Sequence, residues 1–574
     1  MAVSKPHVIA NCDNIMLAWT SDNFISDCRG FALMRENSKD GQPVKRDFVQ
    51  SWVGFRGEKH KEGESRSTEE WPVQRYVWTD LLADTGDRLR YRIIPMLRLT
   101  VGAPLTRAAE SEWSPWSDIV EVGTGKTKGI EAYFNRGIVP GQFLARQRPT
   151  KKQITQAITD SRSPNRRFLG GELLSNLLRI LTSARTSGDE IYLALYELRD
   201  NELEKQLAKF RARCHLVLGN GSFKASKPDP NKDGRRAMKA AGVDVHDRMV
   251  TGQHFAHNKF IVFCNKKRKT NKNPTGAYAV WTGSTNWTET GLCTQVNNGI
   301  YVVSSDLALG YLQRWEALKN AKGSYPKSLA IQGSTPTKTS INEVRLTAWQ
   351  APCTKLVDLV FAKKLIRDAE QGVLYLTFNP GKDNTLLNEI TALDPEKLYI
   401  HGVANQEPAP GTKPVLRLVR HGKELPPVAL YDVLPKPLQD IKSAWFLPEP
   451  FYAAVMIHSK VVVIDPFGRR PVVMTGSHNL GPKASGQNDD NLLVIENAPG
   501  LAGEYAIHIA FLFAHYQWRY NQFLRQYPSG KKPKVKSQIK SVNPAYDGNP
   551  DDTSWQTYWQ QPRQQREIAF WMGS

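Results

Sequence analysis

No CxxC pair occurs in this 574-residue sequence, and its six cysteines (Cys12, Cys28, Cys214, Cys264, Cys293 and Cys353) are scattered. Such spacing argues against a zinc ribbon and against a disulfide framework, so reduced thiols are expected, with a Cys12 to Cys28 bridge left open. The opening residues lack a basic stretch followed by a long apolar one, and no run of about 18 uncharged apolar residues occurs anywhere. A soluble chain with no transmembrane segment, cytoplasmic at synthesis, is therefore expected; export that needs no signal peptide is left open. Long biased tracts are missing too: 40% of the residues are apolar and 23% charged, which separates the chain from fibrous and disordered classes. Acidic residues are scarce beside basic ones, 56 against 77, and the net charge of +21 favours polyanionic partners, nucleic acid or anionic phospholipid. At this length several domains are expected.

Residues 1–125 read as an all-β sandwich. "IMLAWT" and "RGFALMR" have the composition of short strands, and "LLADTGDRLRYRIIPM" couples a turn signal to period-2 alternation through Tyr91. Arg88, Arg90 and Arg92 alternate and so share a face, where their guanidinium planes can interleave with Trp113 and Trp116 of "WSPWS". Trp19, the corner from Leu82 to Tyr91 and this box resemble fibronectin type III domains, and the box itself resembles the WSxWS motif of cytokine-receptor modules. Stiffening the sandwich is the plainer role for such a ladder; docking of a protein partner is the other. Residues 126–165 mix Gly, Pro and cations without sustained periodicity and read as a linker.

From residue 166 helices alternate with apolar strands, and the order then repeats. "ELLSNLLRILTSA" places Leu173, Leu174, Leu177, Leu178 and Leu181 on one helical face, followed by the strands "EIYLALYEL" and "HLVLG". After about residue 330 come the helix "KLVDLVFAKKLIRDA", the strand "GVLYLTF", a short helix and the strand "KLYIHGV". The expectation is two α/β lobes, 166–330 and 331–525, related by a pseudo-twofold, with a helix over 502–525 closing the second. Residues 526–574 read as a polar tail carrying the cationic arm "GKKPKVKSQIK" and three tryptophans, Trp555, Trp559 and Trp571, that dock it onto the body.

The lobes repeat in chemistry as well as in pattern. His257-x-Lys259 opens the strand "KFIVF", and Ser284, Asn286, Gln295, Asn297 and Asn298 follow; His458-x-Lys460 opens "KVVVID", and Ser477, Asn479, Asn488, Asp490 and Asn491 follow at the same internal spacing. Alternation puts each histidine and its lysine on one side of a strand. His254, His257 and Cys264 lack the paired spacing of common zinc sites, so no metal is expected. Trp281, Trp287 and Trp445 beside the motifs read as packing.

These residues resemble the phospholipase D superfamily, whose signature HxKxxxxD followed by GSxN occurs twice per active site. The second copy is complete, with Asp465 in place; in the first, Cys264 stands at the aspartate position, so that strand end should be held differently. The resemblance implies two α/β lobes sharing one site, and a metal-independent phosphodiesterase acting through a phosphohistidine, without cofactors. It also implies a monomer in which one chain supplies both halves. Lys259, Lys460, Asn286, Asn479, Ser284 and Ser477 would ring the phosphorus. Asp490 is expected to support His458 as acid/base and Asn297 to hold His257 as nucleophile, an amide-and-carboxylate arrangement similar to that of tyrosyl-DNA phosphodiesterases. Lys266, Lys267, Arg268, Lys269 and Lys272, in the loop leaving the first catalytic strand, would track further phosphates, which favours a nuclease. A phospholipase D or transphosphatidylase, with Trp445, Phe446, Phe451 and Tyr452 walling the acyl side, is the alternative. A non-catalytic adaptor is a third.

Overall fold

Two units divide the chain: Met1–Thr124 with Pro395–Tyr399 and Gly503–Ser574, and Gly125–Asp394 with Ile400–Ala502. The computed structural model describes residues 3–137, 156–221, 229–406, 415–429, 456–526 and 553–573, less short gaps at 40, 52–53, 56–63, 81, 101, 124, 126, 253, 421–422 and 425–427. Trp445, Phe446, Phe451, Tyr452 and the arm 530–540 lie outside the described residues.

Antiparallel pairing builds the first unit. His7–Ala10, Ile15–Ala18 and Val77–Asp80 form one sheet; Val120–Glu121, Arg88–Leu97, Cys28–Asn37 and Lys45–Phe48 run side by side in another. Alternation along Arg88–Leu97 sends Leu89, Tyr91 and Ile93 into a core with Trp19 and Phe31. It leaves Arg90 over Trp116 at 4.8 Å and Arg92 over Trp113 at 5.0 Å, and Arg46, two strands away on Lys45–Phe48, adds a second cation to Trp116 at 5.8 Å. Ser117 Oγ accepts from the Tyr91 amide at 2.9 Å and Ser114 Oγ from the Ile93 amide at 2.8 Å, so the tryptophan box is stitched to the strand whose arginines it stacks on.

The far end of the chain completes this core. Helices Ser554–Trp559 and Pro562–Met572 belong to the same unit. Trp555 meets Phe31 edge-on at 5.5 Å, Trp559 meets Tyr76 at 6.0 Å, and the Gln556 amide brackets Ile25, accepting from its N–H at 2.9 Å and donating to its carbonyl at 3.0 Å. The helix Pro499–Gln526, expected to close the second lobe, instead passes from one unit to the other at residues 502 and 503. Its apolar run mimics a lobe-closing helix, and periodicity says nothing about which core it serves. All six cysteines are buried and free, and no described helix is long and apolar enough to cross a membrane.

The second unit holds two sheets of matching order. The first runs Ile130–Phe134, Asn298–Val303, Ala277–Gly283, Lys259–Cys264, Glu190–Leu195, Cys214–Gly219, Asp244–Arg248. The second contains, in the corresponding order, Val344–Ala351, Asp490–Glu496, Val472–Gly476, Val461–Ile464, Gly372–Phe378 and Tyr399–Gln406. Helix Pro164–Thr186 buries Leu173, Leu174, Leu177 and Leu181 against the first sheet, the face that periodicity picks out. Residues 126–165 are more than a linker, because Ile130–Phe134 forms the edge strand of that sheet, paired with Asn298–Val303. Five residues among glycines and cations are too few to show a period.

Candidate functional site

The strands that follow the two His-x-Lys pairs, Lys259–Cys264 and Val461–Ile464, are buried along their whole length and apolar apart from Lys259 itself. Burial forces the polar His-x-Lys pair to the strand's entry, where it meets the other half. There the sheets are tied together by short bridges: Gln295–Val296 pairs in parallel with Met456–Ile457, His458 N–H donates to the Val296 carbonyl at 2.9 Å, and Asp489 N–H to that of Phe255 at 2.9 Å.

The histidine partners cross between halves. His257 Nδ1 donates to Asp490 Oδ1 at 2.7 Å, and His458 Nδ1 pairs with Asn297 Oδ1 at 2.9 Å. The amide of Asn297 is oriented by its own Nδ2 donating to the Gly291 carbonyl at 2.8 Å, so His458 must be the donor at Nδ1. Both rings thus carry their proton on Nδ1 and leave Nε2 as the reactive nitrogen. The sequence expectation had the partners the other way round, Asp490 with His458 and Asn297 with His257. Linear order pairs each histidine with the acid or amide downstream of it, whereas the parallel bridge between the halves brings the opposite one within reach.

Ser284 and Ser477 are also corrected. Their hydroxyls donate to Asn297 Oδ1 and Asp490 Oδ1, each at 2.7 Å, and accept from the Asn298 and Asn491 amides, each at 3.0 Å. A hydroxyl has one proton, so these serines hold the histidine partners and do not donate to a phosphoryl group. The preceding glycines must remain glycine: Gly283 and Gly476 have φ of 149° and 138°, and a Cβ at either would lie 2.3 Å from the carbonyl of Asn298 or Asn491. Asn286 and Asn479 are different, since the Oδ1 of each is buried with no hydrogen-bond partner among the described residues. Those two amides are uncommitted.

Lys259 Nζ donates to the His257 carbonyl at 2.6 Å and Lys460 Nζ to that of His458, which uses one of three protons on each. Beneath them lie two aromatic rings that sequence reasoning missed. Tyr196 sits 4.9 Å from Lys259 Nζ and 4.8 Å from the His257 ring; Phe378 sits 4.8 Å from Lys460 Nζ and 4.8 Å from the His458 ring. They occupy matched places, one at the end of each paired strand, and comparing "LALYEL" with "YLTFNP" across the repeat is the signal that would have found them.

Burial and like charge dominate the electrostatics. Desolvation, then Lys259, brings His257 down to about 4, and desolvation brings Lys259 down to about 7. Burial, with Lys460 and Lys259 beside it, holds His458 well below its ordinary value, and Lys460 is held down by burial and by Lys259. Lys460 also acts on His257, so the four groups share one field across the two halves. Burial pushes the Asp490 carboxyl up, but His257 outweighs it and keeps the acid below the usual carboxylate range.

The far ends of the strands differ. Asp465, at φ 46°, ends its strand and collects the amides of Glu370, Gln371 and Gly372 at 2.8, 2.7 and 2.8 Å. Cys264 instead stays in the ladder opposite Glu190, and Asp189 takes over as buttress, accepting from Tyr278 OH at 2.6 Å and from Asn265 Nδ2. The cationic loop begins here. Lys259–Cys264 carries the chain about 17 Å from Lys259 before Lys266, Lys267, Arg268, Lys269 and Lys272 appear, so these five lie away from the two histidines. Lys266 lies 3.6 Å from Glu190 and Arg268 stacks on Tyr278 at 4.4 Å. Adjacency in sequence misled here because a strand separates its two ends. Trp281 and Trp287, each 1% exposed, pack the core as expected.

A phospholipase D-like domain is present in this unit. Residues 364–511 match the family described as "Cardiolipin synthase, PLD-like domain". No curated protein matches the chain. Among solved structures the chain is similar to a phospholipase D family member, Nuc, from Salmonella typhimurium (16% identity, 26% of this chain and 90% of that one, TM-score 0.21). It is also similar to a phosphatidylserine synthase from Haemophilus influenzae Rd KW20 (14% identity, 62% and 85%, TM-score 0.38). A third is a tyrosyl-DNA phosphodiesterase from yeast (12% identity, 55% and 84%, TM-score 0.30).

Proposed function

We propose that the protein is a phosphodiesterase in which His257 attacks phosphorus and His458 protonates the leaving oxygen. The observation that carries the reading is the crossed pairing, which engages Nδ1 of each histidine with a residue of the opposite half and gives only one of them a carboxylate behind it. Attack through His257 Nε2 places positive charge on its ring, and Asp490 neutralises it while keeping the proton on Nδ1. His458, backed by a neutral amide, takes a proton on Nε2 when the anionic phosphate arrives and releases it readily to the leaving oxygen; that nitrogen then takes a proton from water or an alcohol, whose oxygen attacks phosphorus and frees His257. Lys259, Lys460 and the Nδ2 groups of Asn286 and Asn479 donate to the phosphoryl oxygens. An arriving phosphate supplies the counter-charge that the buried lysines lack, so they bind it in the charged form.

The substrate reading favoured is nucleic acid, supported by the net charge of +21. The phospholipid reading has one specific support, the family description over residues 364–511. Incubating the full-length protein, in EDTA, with end-labelled single- and double-stranded DNA and RNA and with mixed anionic phospholipid vesicles tests both. Product from the nucleic-acid pool, with log-log salt dependence of steep negative slope, is expected; product from vesicles alone would move the assignment to the lipid class, and acid-labile phosphate on His257 in neither pool would sink the chemistry. We read the N-terminal unit as a fibronectin III-like sandwich, which its three- and five-stranded antiparallel sheets and the Arg–Trp stack support.

A further inference from the structure

One buried ion pair in the second unit has no counterpart in the repeat. Arg248 and Asp489, each 1% exposed, are joined twice, Nε to Oδ2 at 2.9 Å and Nη2 to Oδ1 at 3.2 Å. Arg248 Nη1 donates to the carbonyls of Lys322 and, at 2.7 Å, Ser324, and the guanidinium lies 4.5 Å from the Tyr325 ring. Tyr325 OH in turn donates to the Phe255 carbonyl at 3.1 Å, the same oxygen that accepts the Asp489 N–H. The pair therefore sits where residues 255–257 meet residues 488–490, Asp489 being one step along the chain from Asp490 and Phe255 two from His257. At the matched position of the other half stands Val296, buried and apolar. Among the described residues, the joint behind His458 has backbone bonds and the Ser459 Oγ bond to the Val296 carbonyl at 3.3 Å, and no ion pair.

We infer that Arg248 is a positioning residue: by fixing Asp489 bidentately it holds the Asp490 carboxylate in line with His257 Nδ1, and it does so for His257 alone. A planar guanidinium with its donors committed to one carboxylate and two carbonyls permits one arrangement. Removing it leaves Asp489 as a buried, unpaired charge, which must shift toward water or take up a proton, and either change pulls on the adjoining Asp490. The kinetic consequence rests on the proposed phosphodiester chemistry; the structural one does not.

The test uses full-length protein labelled with 15N-histidine. The downfield proton resonances of His257 and His458 Nδ1–H are assigned by their loss in His257→Gln and His458→Gln. In Arg248→Met the His257 resonance is expected to move or vanish into exchange while that of His458 stays, and Arg248→Lys should restore it in part. On bis(p-nitrophenyl) phosphate, kcat should fall about 100-fold with KM changed by less than about 2-fold. An unchanged His257 signal in a folded Arg248→Met protein overturns the inference, as does a shift of both signals together, which reports general loosening. Should Arg248→Met fail to fold, Asp489→Asn keeps the shape and is read by the same two resonances. Because the spectrum needs no turnover, an inactive parent would defeat the proposed function and leave this inference to be judged by the resonances.

Discussion

The two halves of the site agree where substrate would touch them and disagree behind that surface. Both present a histidine, a lysine over an aromatic ring and an uncommitted asparagine amide. Behind His257 stands a carboxylate and behind His458 an amide. At the far ends of the strands, Asp465 gathers three amides in one half while Asp189, Asn265 and Tyr278 do comparable work in the other. Far-end differences alter only how a strand is held. The difference behind the histidines alters charge, and under the proposed chemistry charge would decide which ring is phosphorylated.

The sharpest break of that comparison is to remove each histidine in turn. His257→Ala should form no phosphoenzyme and lose at least about 10⁴-fold in kcat; His458→Ala should still label His257 when the leaving group is a good one and then stall. Acid-quench trapping of 32P-labelled protein reads both, and equal labelling in the two variants would end the division of labour. Making the halves alike comes next. Asp490→Asn should cost about 100-fold or more in kcat, because the ring positive on phosphorylation loses its counter-charge. Asn297→Asp should cost less, about 10-fold, by holding the His458 proton more tightly; if the two changes had equal effects, the asymmetry would be ornamental.

The pH profile separates the groups without mutation. His257, held to about 4, stays unprotonated through neutrality, so kcat/KM should fall below about pH 4, as His257 takes a proton. Burial and the two lysines hold His458 well below its ordinary value, so the protonated acid is lost first as pH rises and kcat/KM should decline on the acid side of neutrality; Lys259, held to about 7, releases its proton just above neutrality and should steepen the fall there. In Lys259→Met that second, steeper fall should disappear along with most of the activity. The smallest effect on turnover is expected from Cys264→Asp, which gives the first half the aspartate of the second. Glu190 and Asp189 already push the buried Cys264 thiol up, so a carboxylate there adds a like charge to a buried ladder position. Thermal unfolding should drop by several degrees, about 1–3 kcal/mol, with kcat unchanged.

How far the molecule could be read beforehand follows the reach of each signal. The duplicated His-x-Lys and Gly-Ser-x-Asn motifs and the strands "GVLYLTF" and "KFIVF" rest on short-range pattern, and the structure has strands at Gly372–Phe378 and Lys259–Cys264. The crossing of Asp490 to His257 depends on a contact between residues 233 positions apart, which no local period encodes. Tyr196 and Phe378 were hidden because an aromatic ending a buried strand looks like packing until its mate in the repeat is lined up with it. The cationic loop follows the motif along the chain, which suggests the pocket; counting the four strand residues between Lys259 and Cys264 puts it at the opposite end of the strand.

The closing helices of the first unit carry one more implication, for the order of events during synthesis. Ile25, Phe31 and Tyr76 emerge from the ribosome long before Trp555, Gln556 and Trp559, which cover them, have been made. Through the translation of some 470 intervening residues the β-unit must wait with an apolar flank uncovered, and a nascent chain of that kind is a natural client for a chaperone.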